Sequence, residues 1–267
     1  MPRANRYSAP GYVWHLTHRC HKKEFLLKFS RDRQCWIRWL FEARKRFGLC
    51  VLNYTVTHNH VHLLVRDRGH HEIPKSLQLI AGRVAQGYNR RKRRKGAFWE
   101  DRYHATAVQS GEHLARCLIY IDLNMVRAGV VRHPAEWTDG GYRELLESRQ
   151  RYRIVDVWAL KELLNFDRFT ELTCAYEQWL VAALEAGRGR RDGAWTESLA
   201  VGDWAFVEDV KGHLGTRVRT RQIEEQTERC LLKETPATYG CEIAPEMDLL
   251  SDKFAMNRHE LRNNSIT

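Results

Sequence analysis

The chain has 267 residues, 43% of them hydrophobic, with 44 Lys and Arg against 33 Asp and Glu and a formal net charge of +11. That length accommodates one large domain, or a medium domain with a smaller companion. No stretch approaches the roughly 20 consecutive apolar residues of a membrane helix, and Met1 to Tyr7 has no apolar core, so neither a membrane span nor a signal peptide is expected and the default location is cytoplasmic.

Seven cysteines (Cys20, Cys35, Cys50, Cys117, Cys174, Cys230 and Cys241) are scattered without a C-x-x-C pair. They read as free thiols rather than a disulfide framework or a cysteine zinc site. The charge is unevenly spread. Residues 1–150 carry 28 Lys and Arg against 13 Asp and Glu, whereas residues 151–267 carry 16 against 20. The basic surface therefore belongs to the first part of the chain, and a basic domain favours a polyanionic partner, most often nucleic acid.

In chain order, Gly11 to Arg19 reads as a strand. Ser30 to Phe47 reads as a helix, with Ser30 as N-cap, apolar residues at helical spacing and Gly48 as its stop. Leu49 to Thr57 and the segment through His62 to Val65 read as two strands, followed by a turn at Asp67 to His70. A second helix is predicted from Pro74 to Arg93, running into six consecutive basic residues, Arg90 to Lys95. Trp99 to Val108 contains another strand, and a third helix covers Glu112 to Ala128, stopped by Gly129. The order β-α-β-β-α-β-α implies an α+β sandwich, an antiparallel sheet with helices on one face. Beyond Arg153 the texture changes: residues 156–186 and 203–233 look helical, the latter with Trp204, Phe206, Val207, Val210 and Leu214 as a core face, and Gly187 to Gly193 looks like a linker. Two parts are expected: residues 1–150, and a mostly helical extension over residues 151–267.

Two constellations carry chemistry. His60-Val61-His62 lies in a predicted strand, where alternation puts both imidazoles on one face, about 6–7 Å apart. On the third helix, His113, Arg116, Tyr120, Asn124 and Arg127 share one stripe, apart from the apolar stripe of Leu114, Leu118, Ile121 and Met125. Tyr120 and Asn124 are one turn apart and can address the same spot. An Asn carbonyl oxygen suits Mg²⁺ or Mn²⁺, and imidazole tolerates Mn²⁺. A cation so held polarises a phosphodiester, and a phenolate can then form a covalent phosphotyrosine.

These residues resemble a known family. His60-Val61-His62, within Asn59 to Leu64, resembles the HUH element, and Tyr120 to Gly129 resembles the tyrosine-helix signature that accompanies it. The Gly11 to Arg19 strand, with His15, Thr17 and Arg19, and the Trp99 to His104 segment also fit. Together they resemble the single-tyrosine HUH transposases, in the REP-associated tyrosine transposase branch, over roughly residues 8–145. The resemblance implies a ferredoxin-like or RRM-like sheet and metal-dependent nicking and rejoining of single-stranded DNA near hairpins. Tyr120 would be the nucleophile, His60, His62 and Asn124 the ligands, and Mg²⁺ or Mn²⁺ the metal. Two positions depart from the pattern: His58 precedes Asn59 where a small turn residue or proline is usual, and Met125 replaces a proline.

Expected nucleic-acid contacts are Arg19, Arg90, Arg91, Arg93, Arg94, Lys95, Arg102, Arg116 and Arg127, with Trp14, Trp99 and Tyr103 as stacking candidates of which at least two belong to the core. The partner is single-stranded or hairpin DNA, and the protein a monomer or homodimer. Three alternatives remain open at this stage: a non-catalytic binder on an RRM-like sheet, an HUH replication initiator or relaxase, and a water-using metallohydrolase. The chain has no Walker-type Gly-rich loop of the kind that helicase-linked initiators carry.

Overall fold

The computed structural model describes residues 10–147, 152–187, 191–215 and 221–233. Its first strands are β1 (Val13–Arg19), β2 (Cys50–Val56), β3 (His60–Arg66) and β4 (His104–Val108). They are connected by α1 (Ser30–Phe47) between β1 and β2 and by α2 (Glu72–Lys92) between β3 and β4. In the sheet they lie in the order β2-β3-β1-β4, all antiparallel to their neighbours. This β-α-β-β-α-β arrangement is the ferredoxin-like one expected from the sequence. Helix α1 ends at Gly48, whose φ of +71° is left-handed and whose N–H closes on the Arg44 carbonyl, a conformation that glycine adopts without penalty.

The first two helices cover one face. Trp36 of α1 packs on Tyr54 of β2, and the Ala81 carbonyl of α2 accepts from the indole of Trp99, which stacks on His18 of β1. The opposite face is covered as well, which helices on one face alone would not provide. It carries the alternate residues of the strands, His15, Thr17 and Asn53 among them; Asn53 bonds Asp122 of the tyrosine segment and His15 bonds the Trp195 carbonyl of the extension. The tyrosine segment is broken at Leu123 into α3 (Glu112–Asp122) and a single turn, α4 (Asn124–Arg127), rather than one helix to Ala128. After α5 (Tyr142–Leu146) come α6 (Val157–Leu163), α7 (Phe169–Glu185) and α8 (Ala194–Glu197).

Residues 198–233 then enlarge the sheet. Strand β5 (Ser198–Gly202) pairs parallel to β4, α9 (Trp204–Leu214) follows, and the hairpin of β6 (Gln222–Gln226) and β7 (Arg229–Lys233) completes the order β2-β3-β1-β4-β5-β7-β6. The extension is mostly helical, but the helix expected through 233 stops at Leu214. Glu-rich 222–229 has helical composition, yet the apolar run Leu199-Ala200-Val201 leaves an edge that Cys230, Leu231 and Leu232 bury against, and burial overrides local propensity. Trp204 is also not part of the α9 core face: it opens the helix 50% exposed, while Val207, Val210 and Leu214 are buried. The expected linker lies partly outside the described residues, as do Cys241 and the last thirty residues.

One buried polar bridge locks the tyrosine helix onto the sheet. Asp122 accepts from Asn53 Nδ2 at 3.0 Å and shares a hydrogen bond with the Tyr176 hydroxyl of α7. Gly141 passes so close that a side chain there would collide with the Asn53 amide oxygen. Burial pushes the Asp122 carboxyl up to about 8, against the pull of the Asn53 amide. A carboxyl raised in the folded state stabilises fully below its unfolded value, near 3.8, and its contribution is lost as pH rises through about 8. An amide mimics the neutral acid. Asp122→Asn is therefore expected to gain stability relative to the wild type as pH rises from about 5 to about 8, by at most about 1.4 kcal/mol per pH unit. Paired melting curves across that range check it; a difference in Tm that does not change with pH would contradict the assignment.

Candidate active site

The tyrosine segment lies across β3 with its two faces sorted as the spacing predicts. Leu114, Leu118, Ile121 and Met125 are buried. On the other side, the Tyr120 ring stands edge-on to His62, centroids 5.8 Å apart, and edge-on to His15 at 6.1 Å. Asn124 reaches the same imidazole: its Nδ2 lies 2.9 Å from His62 Nε2. The rings of His60 and His62 are 4.9 Å apart and nearly perpendicular. His60, His62, Tyr120 and Asn124, sixty residues apart in the chain, therefore meet at one place. His58 does not join them: it packs edge-on between Phe25 and Trp137.

The hydrogen bonds decide which ring nitrogens carry protons. The Trp195 carbonyl can only accept, so His15 Nδ1, 2.8 Å away, is its donor. Neutral His15 must then accept at Nε2, and the group 2.9 Å away is His62 Nδ1–H. That leaves His62 Nε2 bare, which is why the Asn124 amide can donate to it. The same logic applies to His60. Asn59 donates its Nδ2 to the Lys23 carbonyl at 3.1 Å, so its Oδ1 accepts from His60 Nδ1 at 2.7 Å, and Nε2 is again bare. Burial pushes His15 down to about 4 and His60 down to about 3, the latter helped by Arg19, Arg191 and Arg127; His62 is held well below the usual imidazole range by burial and then by its two histidine neighbours. Two neutral imidazoles with bare Nε2 atoms and one amide form a donor set that fits a Mg²⁺ or Mn²⁺ ion. Among the described residues no cluster of three His, Cys, Asp or Glu side chains is spaced to hold a metal; a third donor to a cation at His60 and His62 would have to be the Asn124 amide.

Tyr120 is 7% exposed, yet it lines a cavity of about 400 Å³. Arg116 and Arg127 line it from the same segment, and Asp192, Trp195 and Arg229 from the far end of the chain. Burial raises the phenol above its ordinary range, while Arg127 and Arg191 pull it down. The Arg127 guanidinium carbon lies 4.2 Å from the Tyr120 ring centre, and its Nη2 donates to the Tyr120 carbonyl at 2.6 Å, where α3 gives way to α4. Arg191, Asp192, Trp195 and Arg229 were not singled out from the sequence, because the acidic extension carries no motif and its approach depends on the β4–β5 pairing. His15 enters the sequence reading only as part of the β1 strand that fits the family; it lies two residues before Thr17, opposite Leu64 of β3 and on the same sheet face as His60 and His62.

The expected DNA contacts are distributed unevenly. Arg19 lies opposite His60 in the β1–β3 register, and Arg102 is exposed in the loop before β4. Arg116 is held by Glu112 at 2.5 Å and Glu228 at 2.6 Å. In the basic run, Arg90, Arg93 and Lys95 are exposed, whereas Arg91 pairs with Asp32 and Arg94 with Glu24. Trp14 and Tyr103 are core residues, and Trp99 is half-buried on His18.

Residues 10–124 match the family described as "Transposase IS200 like". The transposase resemblance read from the HUH element and the tyrosine helix is thus found again over 10–124, a span that ends at Asn124. No curated protein matches the chain. Among solved structures, a REP-associated tyrosine transposase bound to a REP hairpin is similar at 17% identity, covering 58% of this chain and 90% of that one, with a TM-score of 0.48. A protein of Deinococcus radiodurans R1 assigned as a transposase is similar at 20% identity, covering 44% of this chain and 94% of that one, with a TM-score of 0.32. Among the described residues no helix of the IS200-like region or of the extension is long and apolar enough to cross a membrane.

Proposed function

We propose that the protein is a transposase-type DNA transesterase that nicks and rejoins single-stranded DNA near hairpins through a 5′-phosphotyrosine at Tyr120. The observation that carries this reading is the convergence of Tyr120 and Asn124, one turn apart, on the imidazole of His62. The Tyr120 oxygen attacks phosphorus, forming the Oη–P bond as the P–O3′ bond breaks. The phenol proton departs to solvent, and the 3′ oxygen leaves as a hydroxyl by taking up a proton. Arg127, over the ring, favours the phenolate, and the neutral imidazoles offer lone pairs rather than N–H donors. A bound Mg²⁺ or Mn²⁺ would be held by His60, His62 and Asn124 and would polarise a non-bridging phosphate oxygen. The phosphoester is conserved in the intermediate, so transfer to a second DNA end needs no ATP.

Incubation with a single-stranded hairpin oligonucleotide and Mg²⁺ or Mn²⁺ is expected to yield a nucleotide-shifted peptide containing Tyr120. A cleaved oligonucleotide with no protein adduct would favour water as the nucleophile, and binding without cleavage would favour a non-catalytic binder.

The exposed cations at the end of α2 support phosphate binding. Replacing Arg90, Lys92, Arg93 and Lys95 with Gln is expected to weaken binding to all single strands alike. The slope of log K against log salt should become shallower by about 0.7 for each phosphate that is no longer neutralised. An unchanged slope would remove this run from the DNA interface.

A further inference from the structure

The carbonyl that sets the histidine protons comes from outside the IS200-like region. Trp195 lies in α8, and its carbonyl accepts from buried His15, which is 0% exposed, and from Thr106 Oγ1 at 3.3 Å. The single Thr106 hydroxyl proton is shared with the Ser198 carbonyl, which is nearer at 2.6 Å, so two backbone oxygens of the extension lie against β4. The His15 and His62 rings lie edge to edge in nearly parallel planes, centroids 5.1 Å apart and planes 9° apart, the geometry of an in-plane Nε2-to-Nδ1 hydrogen bond. The Trp195 indole also packs 6.2 Å from the Tyr120 ring, and Arg229 lies over it.

We propose that the Trp195 carbonyl and His15 form a positioning relay that holds His62 in its Nδ1–H tautomer, so that the C-terminal extension sets the cation affinity of the tyrosine site. The proposal rests on the metal-site reading of His60, His62 and Asn124. His15 touches neither substrate nor cation; it acts through His62. Partners of this kind fix the tautomer and ring orientation of a ligating histidine, and their loss costs about 10- to 100-fold in metal affinity.

The test uses the full chain with Mn²⁺ alone as the probe. Phe at position 15 keeps bulk but cannot accept; Gln can place an amide oxygen where His15 Nε2 lies. His15→Phe is expected to weaken Mn²⁺ binding by about 10- to 100-fold, with hairpin binding in metal-free buffer unchanged. His15→Gln should restore most of the lost affinity. Nitrogen-15 shifts of histidine-labelled wild-type protein without metal should show His62 protonated at Nδ1, and this readout needs no variant to fold. A folded His15→Phe protein with wild-type Mn²⁺ affinity, or a wild-type His62 protonated at Nε2, would overturn the relay. A wild type that binds no Mn²⁺ while His62 is protonated at Nδ1 would overturn the metal-site reading instead and leave the hydrogen-bond relay standing.

Discussion

Tyr120→Phe is expected to abolish the covalent protein–DNA adduct while leaving hairpin binding within about twofold of wild type. The substitution removes one oxygen from a ring whose surroundings are set by other groups. His62 and His15 stand edge-on to it, Trp195 lies beside it and Arg127 over its face. None of these neighbours needs the hydroxyl, so the ring should keep its place. Losing a nucleophile costs orders of magnitude in rate, since nothing else in a covalent mechanism can take its place. Denaturing gels with labelled oligonucleotide report the adduct, and anisotropy reports binding. Adduct formation by Tyr120→Phe would move the nucleophile elsewhere. Abolished cleavage with equally abolished binding would point to a structural tyrosine.

Ending the chain after Arg153 is expected to prevent cooperative folding of what remains, a loss on the order of 10 kcal/mol. The sequence presents residues 151–267 as an appendage, but the described part of it forms one core with the preceding residues. Ile154 and Val155 are buried, Val155 bridges to Val51 of β2, and α7 supplies the Tyr176 hydroxyl bound to Asp122. Removing β5 would leave β4 as an open edge. Removing residues 154–197 would uncover buried Val51, which bridges to Val155, and buried Ile119, which shares a cavity wall with Trp179, Ala182 and Ala183 of α7. Re-exposing large apolar side chains costs about 1.5–3 kcal/mol each, which approaches the 5–15 kcal/mol that holds a domain together. Thermal melts followed by circular dichroism, with size-exclusion chromatography, check this. A truncated chain that elutes as one species and melts within a few degrees of the full protein would show two separable units.

The legible and illegible parts of this protein divide along a physical line. Short-range periodicity was enough for β1 to β4, α1 and α2, because each buries one face in the manner its own pattern dictates. The same held for the tyrosine helix, whose apolar and polar stripes separate as the 100° rotation requires. The break at Leu123 left no mark, since its φ of −75° and ψ of 0° suit any residue. Strands β5 to β7 were missed for a different reason. Within Ser198 to Gly202 only Leu199-Ala200-Val201 form an apolar run, without alternation, and so short a run cannot be told from a helix fragment. Residues 222–233 pair only because β5 offers an edge, and that edge is a long-range fact. At the site, His60, His62, Tyr120 and Asn124 could be read from spacing; Trp195 could not, because it contributes a backbone oxygen, and every residue has one.

The parallel pairing of β4 with β5 has a consequence for how the protein is made. Ala107 and Ala200 are sheet neighbours, so β4 leaves the ribosome and waits for almost a hundred further residues before its partner exists. At about 5–20 residues per second, that interval is on the order of 5–20 s. For most of it the paired histidines and the tyrosine are already synthesised, but the carbonyl that orients His15 is not. Under the proposed function, a chain cut short before Trp195 would carry the histidine pair and Tyr120 without the carbonyl that orients His15, so the cation affinity of the site would reach its full value only after the extension has joined the sheet.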